Sequence, residues 1–358
     1  MGLPFFDSAI GQKRDQIMAV DLGSRTTKAV HVSRRGQGFA LGGYTLLDAP
    51  IYEKSLSLDL LGEHLKAINQ LLRSRTRHVC LTVGANDAQV RHADLPRLAA
   101  KDLRQVLKLN SKSYLQQDLP GHVFDCHISA PVGQGKPNNK PPATSSVIKQ
   151  KVLVAAARKQ LVEDFAQAAK AAGLVADSVI PALVAPVNTF EMAMPGLVEK
   201  GTVALVDLGF KSSSICLLQA GELILSRVVA IGGDRMTSDL AENLGISYAE
   251  AEGIKIGMPQ EVQTQLETLL LPLGRELRAS IDFFEHQQDQ AVTQAFFTGG
   301  PAQSEFILQT LQREMMVDCQ LLKPTAFLQM ELPLQQTVEI EQIAPQLTVA
   351  LGAALSVL

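Results

Sequence analysis

Long apolar runs are missing from this 358-residue chain: nothing reaches the roughly 20 consecutive apolar residues of a membrane-spanning helix. Basic runs are missing too, and the net charge of −3 offers no general attraction to nucleic acid or to anionic lipid. Cysteine is scarce. Cys80, Cys126, Cys216 and Cys319 are scattered without a C-x-x-C pair, and all but Cys319 sit in apolar strand-like runs. They read as buried thiols of a reducing compartment. The opening "MGLPFFDSAIGQKR" has neither the apolar core nor the cleavage site of a secretory signal. Gly2 invites a myristoyl group, but Phe6 stands where that motif wants Ser or Thr. A cytoplasmic protein that reaches a membrane only through a partner is the expectation.

What is present is length and a repeated phrase. At this length two lobes are the default, and 46% hydrophobic residues suit a globular protein. Residues 1–15 read as a loose tail. "IMAVDLG", "TKAVHV" and "FALGGYTLL" read as strands, and "HVCLTVG" as a buried one. "LGEHLKAINQLLRS" puts Leu61, Leu65, Ile68 and Leu72 on one helical face. A block of different texture follows: the strand "QVRHADL", a helix near Lys101 to Gln117, and the strands "HVFDCHISA" and "KVLVAAA". Between those last two lies a Pro/Gly/Asn-rich loop at 131–146, read as an exposed linker. "RKQLVEDFAQAAKAAG" is a helix stopped by Gly173, and "PALVAPVN" a helix opened by Pro181. From Thr202 strands resume, followed by helices at "GGDRMTSDLAENLG", "SYAEAEGIKIG" and "EVQTQLETLLLPLGRELRASIDFFEHQ". "QAFFTGG" is a strand and turn, "PAQSEFILQTLQREM" a proline-opened helix, and "APQLTVALGAALSVL" an apolar helix of small residues that can press against another backbone.

The repeat joins "IMAVDLGSRTTKAVHV" (17–32) to "TVALVDLGFKSSSICLL" (202–218). Aligned on Asp21 and Asp207, Arg25 pairs with Lys211, Thr26 with Ser212 and Thr27 with Ser213. Two lobes built on one strand–turn–strand unit, facing across a cleft, would place these turns together. The residue types suit a polyphosphate with its cation. Glycine lets a turn backbone approach a phosphate, and its flanking N–H groups make an anion-binding concavity. The hydroxyls add hydrogen bonds, and a strand-end Asp suits a hydrated Mg²⁺. Such turns are also common hairpins on their own; two in register, each after a buried strand, argue for a shared ligand.

Three later stretches fit the same site. Gly232 and Gly233 precede a helix, with Asp234 placed as an N-cap. Glu252 and Lys255 are three apart on one helical face. Gly299 and Gly300 form a strand-to-helix turn that lets backbone lie flat against a base.

Together these residues resemble the actin and sugar-kinase nucleotide-binding superfamily, and within it the bacterial PilM family, related to FtsA, from Ile17 to Leu358. The resemblance implies an α/β, two-lobed actin-like (ribonuclease H-like) fold with a small α+β insertion in the first lobe. It implies a tail at 1–15, a first-lobe core at 16–89 completed by 177–195 and 344–358, an inserted subdomain at 90–176, and a second lobe at 196–343. It assigns Gly23, Ser24, Thr26, Lys28, Gly209 and Ser212 to the phosphates and Asp21 and Asp207 to Mg²⁺, through water. Glu252, Lys255, Gly299 and Gly300 go to ribose and base, with Gly232, Gly233 and Asp234 elsewhere in the cleft. The implied cofactors are ATP or ADP with Mg²⁺. The implied partner is the cytoplasmic N-terminal tail of a PilN-like inner-membrane protein, held in a groove of the first lobe, with other pilus inner-membrane and motor components as further partners. No nucleic acid and no direct membrane insertion are expected. FtsA commonly carries a C-terminal amphipathic membrane helix; here the final segment reads as a connecting helix, which favours PilM.

Departures temper the enzymology. Hydrolysing relatives carry Glu or Gln before the first connecting helix, where Ile180 stands here and cannot polarise water. Phe210 and Pro301 are bulky where small residues are commoner. Nucleotide binding with slow or absent hydrolysis is expected, making this at most a slow ATPase. A small-molecule kinase of the same superfamily and an FtsA-like filament former are the alternatives. "GHVFDCHIS" reads as a half-exposed strand, since Asp125 and His127 face opposite to Cys126.

Overall fold

The computed structural model describes residues 14–50, 57–129, 149–199 and 201–358, with the backbone of Phe6–Asp7. In chain order come β1 (Phe6–Asp7), β2 (Gln16–Leu22), β3 (Thr26–Arg35), β4 (Gly38–Asp48), α1 (Leu58–Leu72) and β5 (His78–Val83). Next are β6 (Ala88–Pro96), α2 (Ala100–Leu115), β7 (His122–Ile128), β8 (Lys149–Arg158), α3 (Lys159–Ala171), β9 (Val175–Pro181), α4 (Ala185–Ala193) and α5 (Pro195–Val198). Then follow β10 (Thr202–Leu208), β11 (Ser213–Gln219), β12 (Glu222–Val229), α6 (Gly233–Leu244), α7 (Tyr248–Gly257) and α8 (Gln263–Gln288). The remainder is β13 (Gln294–Thr298), α9 (Glu305–Met315), β14 (Asp318–Leu321), β15 (Leu328–Met330), α10 (Leu334–Ile343) and α11 (Thr348–Leu355).

The repeated phrase is the visible part of a repeated sheet. One sheet runs β1-β9-β5-β2-β3-β4-β15 and another β12-β11-β10-β13-β14. In each, the phrase supplies the middle strand and its first neighbour of an antiparallel meander, β2-β3-β4 or β10-β11-β12. Two parallel strands complete the other side, β5 then β9, or β13 then β14. Side-chain alternation then divides each central strand between two cores. Met18 and Val20 face the core shared with α1, while Ile17 and Ala19 face α11. Val203 and Leu205 face that same shared core, while Ala204, Val206 and Leu208 face α8 and α9.

Strands β6, β8 and β7 form a separate three-stranded sheet with α2 against it. Strand β8 again alternates: Val152, Val154 and Ala156 face α2, and Leu153, Ala155 and Ala157 the shared core.

Several expectations need correction. The tail is not loose where it is described: Phe6–Asp7 pair with β9, and Arg14 Nε lies 2.7 Å from Asp177 Oδ2. Residues 1–5 and 8–13, and the loop at 131–146, lie outside the described residues. Helix α3, placed in the insertion by sequence, buries Val162, Phe165 and Ala168 beside Leu61 and Leu65 of α1 in the shared core. The stretch 324–343, placed in the second lobe, returns to the first sheet. There β15 pairs with β4, and Ile340 of α10 joins the core around Ile17 and Leu41. Pro181 ends β9 rather than opening a helix; Pro186 holds the first turn of α4. Pro301 opens a short 3-10 turn, and the helix after it is capped by Ser304, whose hydroxyl accepts from Ile307 N–H.

The small-residue helix does press close. A Cβ on Gly352 of α11 would lie 1.8 Å from the Ala185 carbonyl oxygen of α4. Thr189 Oγ1 donates to the Thr348 carbonyl at 2.8 Å across the same contact.

Candidate nucleotide-binding cleft

Both repeated turns open into one cavity of about 790 Å³ lined by both sheets. Among the assigned residues Asp21, Gly23, Ser24, Thr26, Lys28, Asp207, Gly209, Ser212, Gly233, Glu252, Lys255, Gly299 and Gly300 all line it. Asp21 and Asp207 therefore share one space although 186 positions separate them.

The turns are built alike. A Cβ on Gly23 would sit 2.5 Å from the Thr26 carbonyl oxygen, and one on Gly209 2.6 Å from that of Ser212. Neither turn tolerates a side chain there, so bare backbone faces the cavity, as a phosphate cradle requires. Around the first turn Asp21 is well supplied: Thr82 Oγ1 donates to it at 3.1 Å and Lys28 Nζ at 3.3 Å. Asp207 has Ser214 as its cross-strand neighbour where Asp21 has Lys28. Burial pushes the Asp207 carboxyl up to about 6, with Lys28 opposing the rise and the charge of Asp21 adding to it.

Helices α6 and α7 wall the opposite side. Ser247 and Glu250 form a reciprocal capping box that fixes the start of α7. That orients Glu252 and Lys255 inward. Lys255 is 4% exposed and its Nζ lies 2.6 Å from Glu252 Oε2 and 2.5 Å from Thr237 Oγ1. The lysine is buried and the glutamate partly so. Desolvation holds the lysine below its usual range, against the pull of Glu252. Burial works against the Glu252 charge, yet Lys255, Thr237 and Arg25 together hold its carboxyl below the usual range.

Two assigned residues are not on the cavity. Gly232 is wedged under the second turn, where a Cβ would come 2.3 Å from the Phe210 carbonyl oxygen. It is itself the N-cap of α6, so Asp234 does not cap. Asp234 instead accepts from Lys211 Nζ at 2.6 Å and from Tyr248 Oη at 3.0 Å, and these bonds outweigh burial to lower its pKa. The N–H groups of Gly233 and Asp234 donate to the carbonyls of Gly209 and Phe210, tying α6 to the turn.

Sequence reasoning passed over Arg25, Asn86, Asp48, Asp87, Ile256 and Gln346, all on the cavity. Arg25 carried a signal, since the repeat matches it to Lys211; the others have no local pattern to find them by. Ile180 is buried in β9 and does not line the cavity.

The family described as "Type IV pilus assembly protein PilM" matches residues 19–357. The chain belongs to the PilM family. A solved structure titled "PilM-PilN type IV pilus biogenesis complex" superposes with a TM-score of 0.80 at 21% identity, covering 97% of this chain and all of that one. The ethanolamine utilization protein EutJ of Carboxydothermus hydrogenoformans gives a TM-score of 0.56 at 15% identity, over 96% of this chain and 90% of that one. MreB 5 of Spiroplasma citri, solved bound to AMPPNP, gives 0.50 at 10% identity over 95% of each chain. The fold of this PilM-family chain is thus the two-lobed actin-like one. Cell division protein FtsA of Bacillus subtilis (strain 168) is 42% identical over 53 residues, a match spanning 15% of this chain and 12% of that protein. Among the described residues no helix is long and apolar enough to cross a membrane.

Proposed function

We propose that this PilM-family chain is a nucleotide-loaded scaffold of type IV pilus assembly. It takes ATP or ADP in the cavity between the sheets and holds the cytoplasmic tail of a PilN-like membrane protein. The observation that carries the reading is the pair of matched Asp-Leu-Gly turns opening into one space. Gly23, Ser24, Thr26, Lys28, Gly209 and Ser212 bind phosphates, and Glu252, Lys255, Gly299 and Gly300 bind ribose and base.

The residues fit a divalent cation shared with phosphate. Among the described residues no three or more His, Cys, Asp or Glu side chains cluster as a metal site. Asp21 and Asp207 are two carboxylates, the number a largely hydrated Mg²⁺ uses beside a polyphosphate. Asp207, desolvated and without a cation at hydrogen-bond distance, is the group that such an ion would relieve. The bound ion would neutralise phosphate charge. Hydrolysis is slow or absent on this reading, because the position before α4 that would orient water is the buried Ile180.

Nucleotide can bias lobe closure only by its different affinity for open and closed states. Closure is the means by which it sets affinity for the membrane-protein tail, and that tail is what places the scaffold at the inner face of the inner membrane. The test is calorimetry with ATP and MgCl₂, followed by titration of the N-terminal cytoplasmic peptide of the PilN-like protein with and without nucleotide. Saturable ATP binding that is lost in Asp21→Ala, and a peptide affinity that changes with nucleotide, are expected. Absence of nucleotide binding by the unaltered protein sinks the proposal.

A further inference from the structure

The tips of the two turns carry a matched pair of cations, Arg25 and Lys211, and both reach the same aromatic ring. Arg25 Cζ stands 5.2 Å and Lys211 Nζ 5.3 Å from the centroid of Phe210. Each is also bonded to a carboxylate, but with different consequences. Lys211, although it lines the cavity too, bonds Asp234 within its own lobe. Arg25 Nη1 donates to Glu252 Oε1 at 2.9 Å, joining residues 227 positions apart from opposite lobes. A second polar contact crosses the mouth, from Asn86 Nδ2 to Ser212 Oγ at 3.2 Å.

The two oxygens of Glu252 are loaded unequally. Oε2 accepts from Lys255 and from Thr237, and Oε1 accepts from Arg25. A ribose hydroxyl that donates to Glu252 therefore comes to Oε1, where it crowds Arg25 and leaves Lys255 undisturbed. Lys255 is buried and held at three bonds, including one to the Gly233 carbonyl at 3.3 Å. The Arg25 side chain is 46% exposed, and its ion pair is of the weakly held surface kind. Arg25 is therefore the partner that yields, and Glu252 keeps Lys255 as its counter-charge when it does.

The freed guanidinium belongs to the phosphate turn, between Ser24 and Thr26, where its planar fork can take two phosphate oxygens in place of the single Glu252 oxygen it now holds. We propose that Arg25 is the specificity-determining residue of this cleft: it exchanges Glu252 and the Phe210 face for the phosphate tail, so that a nucleoside triphosphate is held more tightly than a diphosphate. The exchange trades a bond between the lobes for one to ligand, which makes Arg25 the link between phosphate count and closure. This rests on the nucleotide reading above.

The test measures ATP and ADP affinities, with MgCl₂, for the unaltered full chain and for Arg25→Ala and Arg25→Lys. The unaltered protein should prefer ATP. Arg25→Ala should reduce that preference by about tenfold, the scale of one charged hydrogen bond, while ADP binding stays equal or improves. Arg25→Lys should keep part of it. An ATP-to-ADP ratio left unchanged in Arg25→Ala, with both still bound, overturns this role and leaves the nucleotide site standing. No binding of either by the unaltered protein overturns both.

Discussion

Asp21 ends the first repeated strand and Asp207 the second, yet their surroundings differ in each detail that sets a carboxylate's charge. Beside Asp21, Thr82 at the end of β5 donates its hydroxyl and Lys28 its ammonium. Beside Asp207 the strand neighbour is Thr298, but its hydroxyl turns away to the Pro345 carbonyl at 2.7 Å and to Thr348. The reason lies in the chain path: the approach to α11 passes over the end of β13 and takes the threonine. One copy of the motif is thereby satisfied by the protein, and the other receives neither hydroxyl nor ammonium from the described residues. A sequence repeat fixes backbone and residue type; the elements laid over each copy decide the electrostatics.

The glycines that follow the matched parallel strands give the largest expected contrast. Gly299, after β13, has φ +93, and a Cβ there would lie 2.2 Å from the Leu208 carbonyl oxygen and 2.8 Å from Asp207 Oδ1. Gly84, after β5, would place its Cβ no closer than 3.4 Å, to Asp87 Oδ2. Gly299→Ala should cost roughly 3 kcal/mol in denaturant unfolding and Gly84→Ala within about 0.5 kcal/mol. Equal losses would show that the two turns are not distinguished as described.

Amide substitution should come next, with opposite signs. Asp21→Asn loses a charged hydrogen bond from Lys28 and weakens that from Thr82, and should destabilise by about 1–2 kcal/mol. Asp207→Asn removes a desolvated charge and should raise stability by about 1 kcal/mol while weakening Mg²⁺-dependent nucleotide binding. If both destabilise alike, the contrast fails.

A titration reads the same contrast along the pH axis. Asp207 titrates near 6 in the folded chain and near 3.8 unfolded, so the folded state holds the extra proton between those values. Its contribution to stability should fall as pH rises from about 4 to about 6, and stay level above. That slope should vanish in Asp207→Asn. In Asp21→Asn its upper end should move to lower pH, because the neighbouring negative charge is gone.

The hairpins, the face of α1 and the α6–α7 pair were legible because each rests on local periodicity or turn chemistry. Leu61, Leu65, Ile68 and Leu72 are indeed buried together. The stretch 318–343 was not legible. Strand β14 has no buried residue to mark a face, β15 is three residues long, and Ile340 is the one buried side chain of α10. Asp234 misled because Asp before a helix is a capping signal, whereas Lys211 and Tyr248 claim it in space. The Arg25–Glu252 bond is invisible to any local rule, since only the folded cleft brings those residues together.

The face of the first sheet that carries Ile17, Ala19, Val30 and Leu41 is covered by Ile340, Leu347 and Leu351. On a ribosome, that greasy surface is made early and its lid late, after the whole second lobe has emerged. The nascent chain must shield it, or have it shielded, for most of translation. Early stops and slow codons near residue 340 should therefore favour aggregation over a half-built but soluble lobe.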